Sequence, residues 1–475
     1  MQQIKGWFIL HNTTTIRMEL ERFMKQGDLN TSRLAQMAGI NAGTMSSLLH
    51  GHRVMAVTQL DRITATLGLP EGHFYEQYIE EYLNEAEPNW RRIRPFLYRC
   101  AALDKLECIR RTVGLLLDNL TYSPLLFEVA EDFFKCDQCG AAAILFESIA
   151  MSEKSQHSER LALCQFRLFT IRLGDDQELN NQAAIQFEPY VERLAEIDQL
   201  DALKELANTY RSLRRWNKVE EMARKMGEKA KIHYFTFQRD REESQLQRRL
   251  SRPPFFYLAY SNLLIAIVYE ARRDYTQALK YVKAYADLNW VKEKDEDTIH
   301  WMNLFKDWAH ANTYVYKLLG GDISILSEYV EFIEPKEDEI IVSLLNIIET
   351  ANQYDINVDD ILDRFDVQIK HYLQHREAIG VIYSKQLINE QTARLSNELA
   401  DYYLRNGVHS IGFKCLIRSL EISASIKNKS CIIKCVGLFE CYKQYVSKEQ
   451  ATTYEKLIME VYESEKKMGI AAFSM

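Results

Sequence analysis

The sequence predicts an all-α protein: a small N-terminal helical domain followed by a long solenoid of paired helices. Three observations carry this prediction. Apolar residues recur at three- and four-residue spacing almost throughout, as in Leu125, Val129 and Phe133 or Leu203, Leu206 and Tyr210. Only eight prolines occur in 475 residues, and most (Pro70, Pro88, Pro124, Pro253, Pro254, Pro335) fall where helices begin or are joined. Finally, Ala207-Asn208-Thr209-Tyr210 recurs as Ala311-Asn312-Thr313-Tyr314, Ala351-Asn352-Gln353-Tyr354 and Ala400-Asp401-Tyr402-Tyr403. No run of alternating strand residues bounded by turns competes with this reading.

Composition narrows the class. Hydrophobic residues make up 47% and charged residues 27%, an ordinary globular balance. No uncharged apolar stretch reaches the roughly 18 residues of a membrane span, and the run from Trp7 to Leu10 is too short for a signal-peptide core. A cytoplasmic protein is expected. Nine cysteines scattered through helical sequence do not form a disulfide framework. Cys136-Asp-Gln-Cys139 lacks further ligands spaced for zinc and lacks a βαβ context for redox work, so free thiols, no metal and no cofactor are expected. The net charge is −8, while residues 1–75 hold seven Lys/Arg against five Asp/Glu. The first segment is therefore the basic one.

Residues 29–53 read as a helix, a tight turn at Gly39, and a second helix capped by Asn41 and ended by Gly51. Leu34, Ala35 and Ala38 give the first helix its apolar face; Ile40, Met45, Leu48 and Leu49 serve the second, and a further helix follows with Leu60, Ile63 and Leu67 inward. This stretch, roughly residues 14–75, resembles the phage-repressor or XRE-type helix-turn-helix domain. The resemblance rests on Leu34-Ala35, Gly39, Ile40, Asn41, Thr44-Met45-Ser46, Leu48 and Gly51. It implies that the start of the second helix enters the major groove of double-stranded DNA. Ala42, Gly43, Ser46 and Ser47 then face the bases, a set without the Gln, Arg or Lys common in such domains, and Asn41 and Thr44 belong to the same DNA-binding face. Thr31, Ser32 and Arg33 before them, and His50, His52 and Arg53 after, are candidate phosphate contacts. Specificity is expected to lean on DNA shape and half-site spacing.

Residues 76–90 are acidic, end near Pro88, and read as a linker or connecting helix; 236–255 is a charged insertion and 289–298 an acidic loop. From 91 to 475 helix pairs dominate. Residues 259–288 carry Ala266, Tyr269, Tyr275, Ala278, Leu279 and Tyr281 at the spacing of a tetratricopeptide repeat. Residues 202–226 and 395–420 match less fully, and weaker pairs fill 92–119, 123–151, 157–195, 300–332, 337–367 and 430–465. Such pairs in series imply a right-handed tetratricopeptide-like solenoid. Ile432, Ile433, Val436, Phe439, Leu457, Val461 and Tyr462 exceed what one terminal repeat would cover, so a homodimer contact is expected there.

A helix-turn-helix domain followed by degenerate tetratricopeptide repeats resembles the peptide-pheromone receptors of Gram-positive bacteria and their phages, among them the PlcR, Rgg, PrgX and NprR regulators and the arbitrium receptors. The resemblance implies a homodimeric transcription regulator of the quorum-sensing or lysis-lysogeny kind, with a short oligopeptide in the concave groove and no membrane partner. In each repeat the asparagine lies about 100° from the packing alanine, which turns Asn208, Asn312 and Asn352 toward the concave side. An Asn amide both donates and accepts, so a ladder of them suits a peptide backbone. Lys204 and Arg211 are candidate partners of a peptide carboxylate, and Asp401 occupies the fourth ladder position. Arg214 and Arg215 read as loop charges. The alternative for the asparagines is bridging between neighbouring helices. The alternative for the whole chain is a repeat adaptor that docks protein partners. No phosphate loop, HExxH or Gly-flanked serine occurs, so an enzyme is not expected.

Overall fold

The computed structural model describes residues 15–83, 88–117, 119–154, 158–236, 250–374 and 385–472. Most of the charged 236–255 insertion therefore lies outside the described residues. So do the run from Trp7 to Leu10 and part of the acidic 76–90 segment. Among the described residues the chain is helical and has no strand. It forms two compact units that divide between Ile171 and Arg172.

The first unit opens with four helices: α1 (Ile16–Gln26), α2 (Thr31–Met37), α3 (Ala42–Leu49) and α4 (Val57–Thr66). Each of the first three begins on a side-chain cap: Thr15, Asn30 and Asn41 accept from backbone N–H groups one turn in. Ile16, Leu20, Leu34, Ala35, Met45, Leu48, Leu60 and Ile63 close the core between them, at or below 1% exposure. The expected break at 76–90 is not where the chain divides. Tyr75–Tyr78 continues into a wider helical turn, Ile79–Leu83. Its rings pack on Phe96 of the next helix, Trp90–Ala102, with Tyr75 and Tyr78 each about 5 Å from it between ring centroids. Asp61 of α4 ties the same joint by accepting from Tyr75 at 2.7 Å and Arg99 at 2.8 Å. Aromatic burial, which the acidic composition of the segment hides, makes this connection part of the unit. Helices Leu106–Leu116, Ser123–Lys135, Cys139–Ser152 and Glu159–Arg172 complete it.

The second unit is the longer helical array. Its hairpins pair Glu196–Ser212 with Trp216–Thr236, Pro254–Ala271 with Tyr275–Ala286, Glu296–Leu319 with Leu326–Ile333, and Lys385–Arg405 with His409–Ser425. Glu337–Tyr354 stands between the last two pairs, and Lys429–Tyr442 and Lys448–Ala472 end the array. The Pro254–Ala271 helix is long and apolar enough to cross a membrane by length and composition. The sequence criterion passed over it because Glu270 interrupts the uncharged run. Most of its apolar side chains are buried against the helices on either side. Gly227 permits one of these approaches, since a Cβ there would stand 2.5 Å from Ser261 Oγ.

The same reversal recurs in both units. Asp104, Asp137, Arg214, Arg273, Gly321, Asp355, Gly407 and Lys427 each hold a left-handed backbone just after a helix. The next N–H returns to a carbonyl five residues earlier; Arg215 reaches Tyr210, Asp274 reaches Tyr269 and Val408 reaches Tyr403, each at 2.9 Å. Tyr210, Tyr354 and Tyr403 thus lie in the last turn of a helix, whereas Tyr314 stands a full turn before the end of Glu296–Leu319. They do not all fill a packing gap as expected: Tyr210 is 1% exposed, whereas Tyr354 is 39% exposed and donates to the Leu319 carbonyl.

At the C-terminal end Phe439 stacks on Tyr454, and Ile432, Val436 and Leu457 pack against the same cluster. The surplus expected for a dimer contact is therefore largely spent within the unit. Ile433 and Tyr462 stay exposed, together with Met459. All nine cysteines are unpaired, five of them buried.

The turn geometry gives a direct test at Asp104, whose φ is +53°. Valine there should cost about 1–2 kcal/mol, because a β-branched side chain clashes in the left-handed region. Glycine should leave the protein as stable or more so. Urea unfolding of both variants checks this, and equal losses would mean that Asp104 acts through its carboxylate.

Candidate nucleic-acid interface and ligand cavity

The interface is set by the turn between α2 and α3. Gly39 has φ +62°, its N–H bonds to Gln36, and Ile40 N–H returns to the Ala35 carbonyl at 2.9 Å. Only a residue free of Cβ strain adopts this angle at low cost. Arg62 of α4 donates to the Gly39 carbonyl at 3.0 Å and fixes the turn from behind. α3 leaves the turn with Asn41 accepting from Gly43 and Thr44 N–H, so the Asn41 amide oxygen is spent on its helix.

Ala42 and Gly43 stand exposed at the start of α3, with Thr44, Ser46 and Ser47 half-buried. Ser47 returns its hydroxyl to the Gly43 carbonyl at 2.9 Å. Its proton is thus engaged with the helix, while its oxygen still has lone pairs to offer. His50 lies within 2.7 Å of the Ser46 carbonyl and its ring stacks on His52. Ser32, Arg33, His52 and Arg53 are exposed and Thr31 is half-buried, the placement expected of phosphate contacts. Arg33 reaches Gln36 at 2.9 Å. Gln36, exposed on α2, is a polar group beside this face that the sequence reading passed over.

The second unit forms a cavity of about 380 Å³ that opens to solvent, within the range of small-ligand pockets. Its walls come from one stripe on each of several helices. Tyr260, Leu263, Ile267 and Glu270 lie on one; Trp308, Asn312, Val315 and Leu319 on the next; Leu345, Asn346 and Glu349, then Leu387, Glu390 and Arg394, on two more. Apart from the adjacent Leu345 and Asn346, they repeat at three- and four-residue intervals, so each row shares a helix face.

Of the six expected ligand residues, the cavity brings together three: Asn208, Arg211 and Asn312. Asn208 accepts from Tyr260 Oη at 2.6 Å, and Asn312 donates to Tyr285 Oη at 2.8 Å. Both therefore bridge helices as well as line the cavity. Asn208 keeps its NH₂ and Asn312 its carbonyl oxygen, an unspent donor and an unspent acceptor. The other three are corrected. Asn352 turns away and donates to the Glu398 carbonyl at 2.9 Å and to its carboxylate at 3.0 Å. Asp401 pairs with Arg405 at 2.8 Å. Lys204, 9% exposed in its side chain, is held by Asp201 at 3.1 Å and Ser251 at 2.7 Å.

Charge inside the cavity was mostly missed. Arg394 meets Glu349 at 3.0 Å and Glu390 at 3.9 Å, and Arg214 meets Glu390 at 3.4 Å. Arg214, read as a loop charge, is a wall residue. Burial pushes the Glu270 carboxyl up, against the pull of Arg394, and biases it toward the neutral form. Arg211 stands beside Tyr260 and Glu270 and has no ion pair among the described residues. The lining thus offers the Arg211 guanidinium beside Tyr260 and Glu270, amide groups of both senses, and the rings of Trp216 and Trp308. It is equipped to hold a polar ligand with an anionic group. The regular spacing of Leu387, Glu390 and Arg394 was a usable signal; that they face one another across the cavity was not visible from spacing.

Among known protein families, residues 19–76 match the Cro/C1-type HTH DNA-binding domain. No curated protein matches the chain. The match spans α2, the turn and α3, assigns this part to DNA binding, and supports reading the chain as a transcription regulator.

Asp201 supplies the test of Lys204. Its carboxylate accepts from Lys204, from Ser251 N–H at 2.9 Å and from Tyr257 Oη at 2.7 Å. Burial pushes its pKa up, but these partners outweigh that and hold it below the ordinary value. A depressed carboxyl gives stability that is present above the unfolded pKa of about 3.9 and is lost as pH falls through the folded one. Asp201→Asn should cost on the order of 3 kcal/mol at pH 7, the usual loss when a buried pair loses one member. The difference from wild type should shrink below pH 4. A constant difference in urea melts at both pH values would remove the ionic account.

Proposed function

We propose that the chain is a cytoplasmic DNA-binding transcription regulator whose helical array takes up a short peptide that alters its grip on an operator. The family match supports the first half. The observation that carries the second is the cavity in which Asn208 and Asn312 present an unspent donor and acceptor beside Arg211 and two indole rings. A peptide backbone needs both hydrogen-bonding senses, and a terminal carboxylate suits a free guanidinium. A cavity of about 380 Å³ suits a short segment better than a folded protein partner, which sets this reading above a docking adaptor. The regulator acts as a homodimer on two half-sites, as two-fold operators require of this domain type.

Two measurements test the halves separately. Arg33→Ala and Arg53→Ala should weaken operator and random duplexes alike, each lowering the slope of log affinity against log salt by about one. Loss confined to one sequence would make these residues base readers. For the ligand, mass spectrometry of small molecules released from the purified protein should find a peptide. Calorimetry with that peptide should show Asn208→Ala losing about 1–3 kcal/mol. Tyr260→Phe, which removes the bridge to Asn208 and keeps its amide in place, should lose much less than Asn208→Ala. Equal losses would return Asn208 to helix bridging alone.

A further inference from the structure

The cavity holds three carboxyl groups, and they are not alike. Glu349 meets Arg394 at 3.0 Å and Glu390 meets Arg214 at 3.4 Å, so both are spent on guanidinium groups. Glu270 lines the same cavity yet makes no ion pair among the described residues. It sits in the last turn of Pro254–Ala271, with Leu263 and Ile267 before it on the same face.

The charged and titratable groups that face Glu270 come from five other helices. Arg211 belongs to Glu196–Ser212, Tyr275 and Tyr285 to Tyr275–Ala286, and Tyr316 to Glu296–Leu319. Glu349 comes from Glu337–Tyr354 and Arg394 from Lys385–Arg405. Arg394 is already compensated by Glu349 and Glu390, whereas Arg211 has only Glu270 beside it. Tyr316 is 1% exposed, and its hydroxyl has no hydrogen-bond partner among the described residues. A carboxyl, a guanidinium and a phenol thus stand together with hydrogen bonds still to make.

A carboxyl placed here has two states. Ionised, it compensates Arg211 and repels any further anion. Neutral, it leaves Arg211 its charge and gains an O–H to donate. Burial is the largest influence on Glu270 and favours the neutral state, with Glu349 adding to it and Arg394 and Arg211 opposing.

We propose that Glu270 is a specificity-determining residue of the ligand site: as the neutral acid it donates to the anionic group that Arg211 pairs with, so that anion and proton are bound together. The proposal rests on the cavity being the ligand site and adds what that site requires at its charged end. A ligand carboxylate accepts from Arg211 and from the Glu270 O–H, which leaves the Glu270 carbonyl oxygen to accept from Tyr316. Where Glu270 is ionised, it takes one proton from solvent as the anion enters and returns it when the anion leaves. An amide in the same place brings no charge to Arg211. Affinity for a carboxylate therefore falls as pH rises through the Glu270 ionisation, which burial sets above the ordinary glutamate value of about 4.3.

The charge state of the cavity can be read without any peptide. Ile267→Cys places a thiol on the cavity wall one turn from Glu270. Its labelling is measured with two methanethiosulfonate reagents, one bearing a sulfonate and one a trimethylammonium group, by the mass of the fragment containing position 267. The exposed Cys441 of the same protein is the reference. Dividing the anionic rate by the cationic rate cancels the ionisation of the thiol itself. No histidine lines the cavity, which leaves Glu270 to titrate between about pH 5 and pH 8. The ratio should fall about tenfold over that range, because a negative charge appears beside the thiol. Glu270→Gln should keep the ratio high and flat, and Glu349→Gln should leave the step in place. With a peptide recovered from the protein, calorimetry should show affinity falling over the same range. Glu270→Gln, whose amide still donates, should bind it equally throughout. A ratio flat with pH in the parent would overturn the proposal, as would a step that persists in Glu270→Gln. If thermal melts show that Ile267→Cys has failed to fold, Asn346→Cys on the same wall carries the test. A step in a protein from which no peptide is recovered would keep the role of Glu270 and remove the peptide reading. A recovered peptide bound equally at every pH, with no step, would do the reverse.

Discussion

The left-handed turn that reverses the chain after many of the described helices is the constraint on which the rest of this structure depends. It fixes the angle at which a helix meets the next, and so decides which stripe of each faces inward. In Asp104, Asp137, Arg214, Arg273, Asp355 and Lys427 a residue with a Cβ adopts this backbone, at a cost that glycine would not incur. The returning hydrogen bond to the preceding helix offsets part of that cost. Because the reversals are alike, polar residues placed three and four apart on successive helices arrive at one cavity. Arg214 shows the two levels joined: its backbone makes a turn, and its guanidinium forms a wall.

The N-terminal domain was readable because its determinants are local. Asn41 caps the helix it precedes, Gly39 turns the chain it sits in, and Leu34, Ala35, Met45 and Leu48 meet across a few residues. The ligand site was readable only in part. Asn208 and Asn312 follow the packing alanines and do face the cavity. Asn352 and Asp401 obey the same spacing but are claimed by Glu398 and Arg405. Lys204 had a visible partner three residues before it in Asp201, and ion pairing at that spacing on one helix face favours a structural role. What spacing cannot carry is contact between distant helices, which is why Glu270, Glu390 and Arg394 went unremarked. The division of the chain was hidden for a related reason: the acidic residues of 76–90 mask the tyrosines that bury the segment.

The cavity is unusual in the company its charges keep. Arg394 is neutralised by two carboxylates, and Glu270 is driven toward its neutral acid. Arg211 faces only Glu270, a carboxyl biased toward its neutral form, in the place where a ligand would be held by amides of opposite sense. A site of this kind costs little to keep empty, since most of its charge is already compensated, yet it retains one group that gains from an anion. Binding energy is thus concentrated at a single point of the wall.

Asp176 pairs with Lys427, and Asn389 donates to Asp175, a polar seam within the second unit that has a consequence for how the chain folds. The helical hairpins draw on contacts between near neighbours in sequence, so they form quickly and in order as synthesis proceeds. The seam needs partners more than two hundred positions apart. Asp176 therefore waits, solvated, while the intervening helices stack, and closure comes last. The entropy of bringing such distant ends together grows only slowly with chain length, and the stacked helices have by then done most of the approach. A polar seam is well suited to that delay, because it leaves no large sticky surface exposed on the ribosome while its partner is still being made.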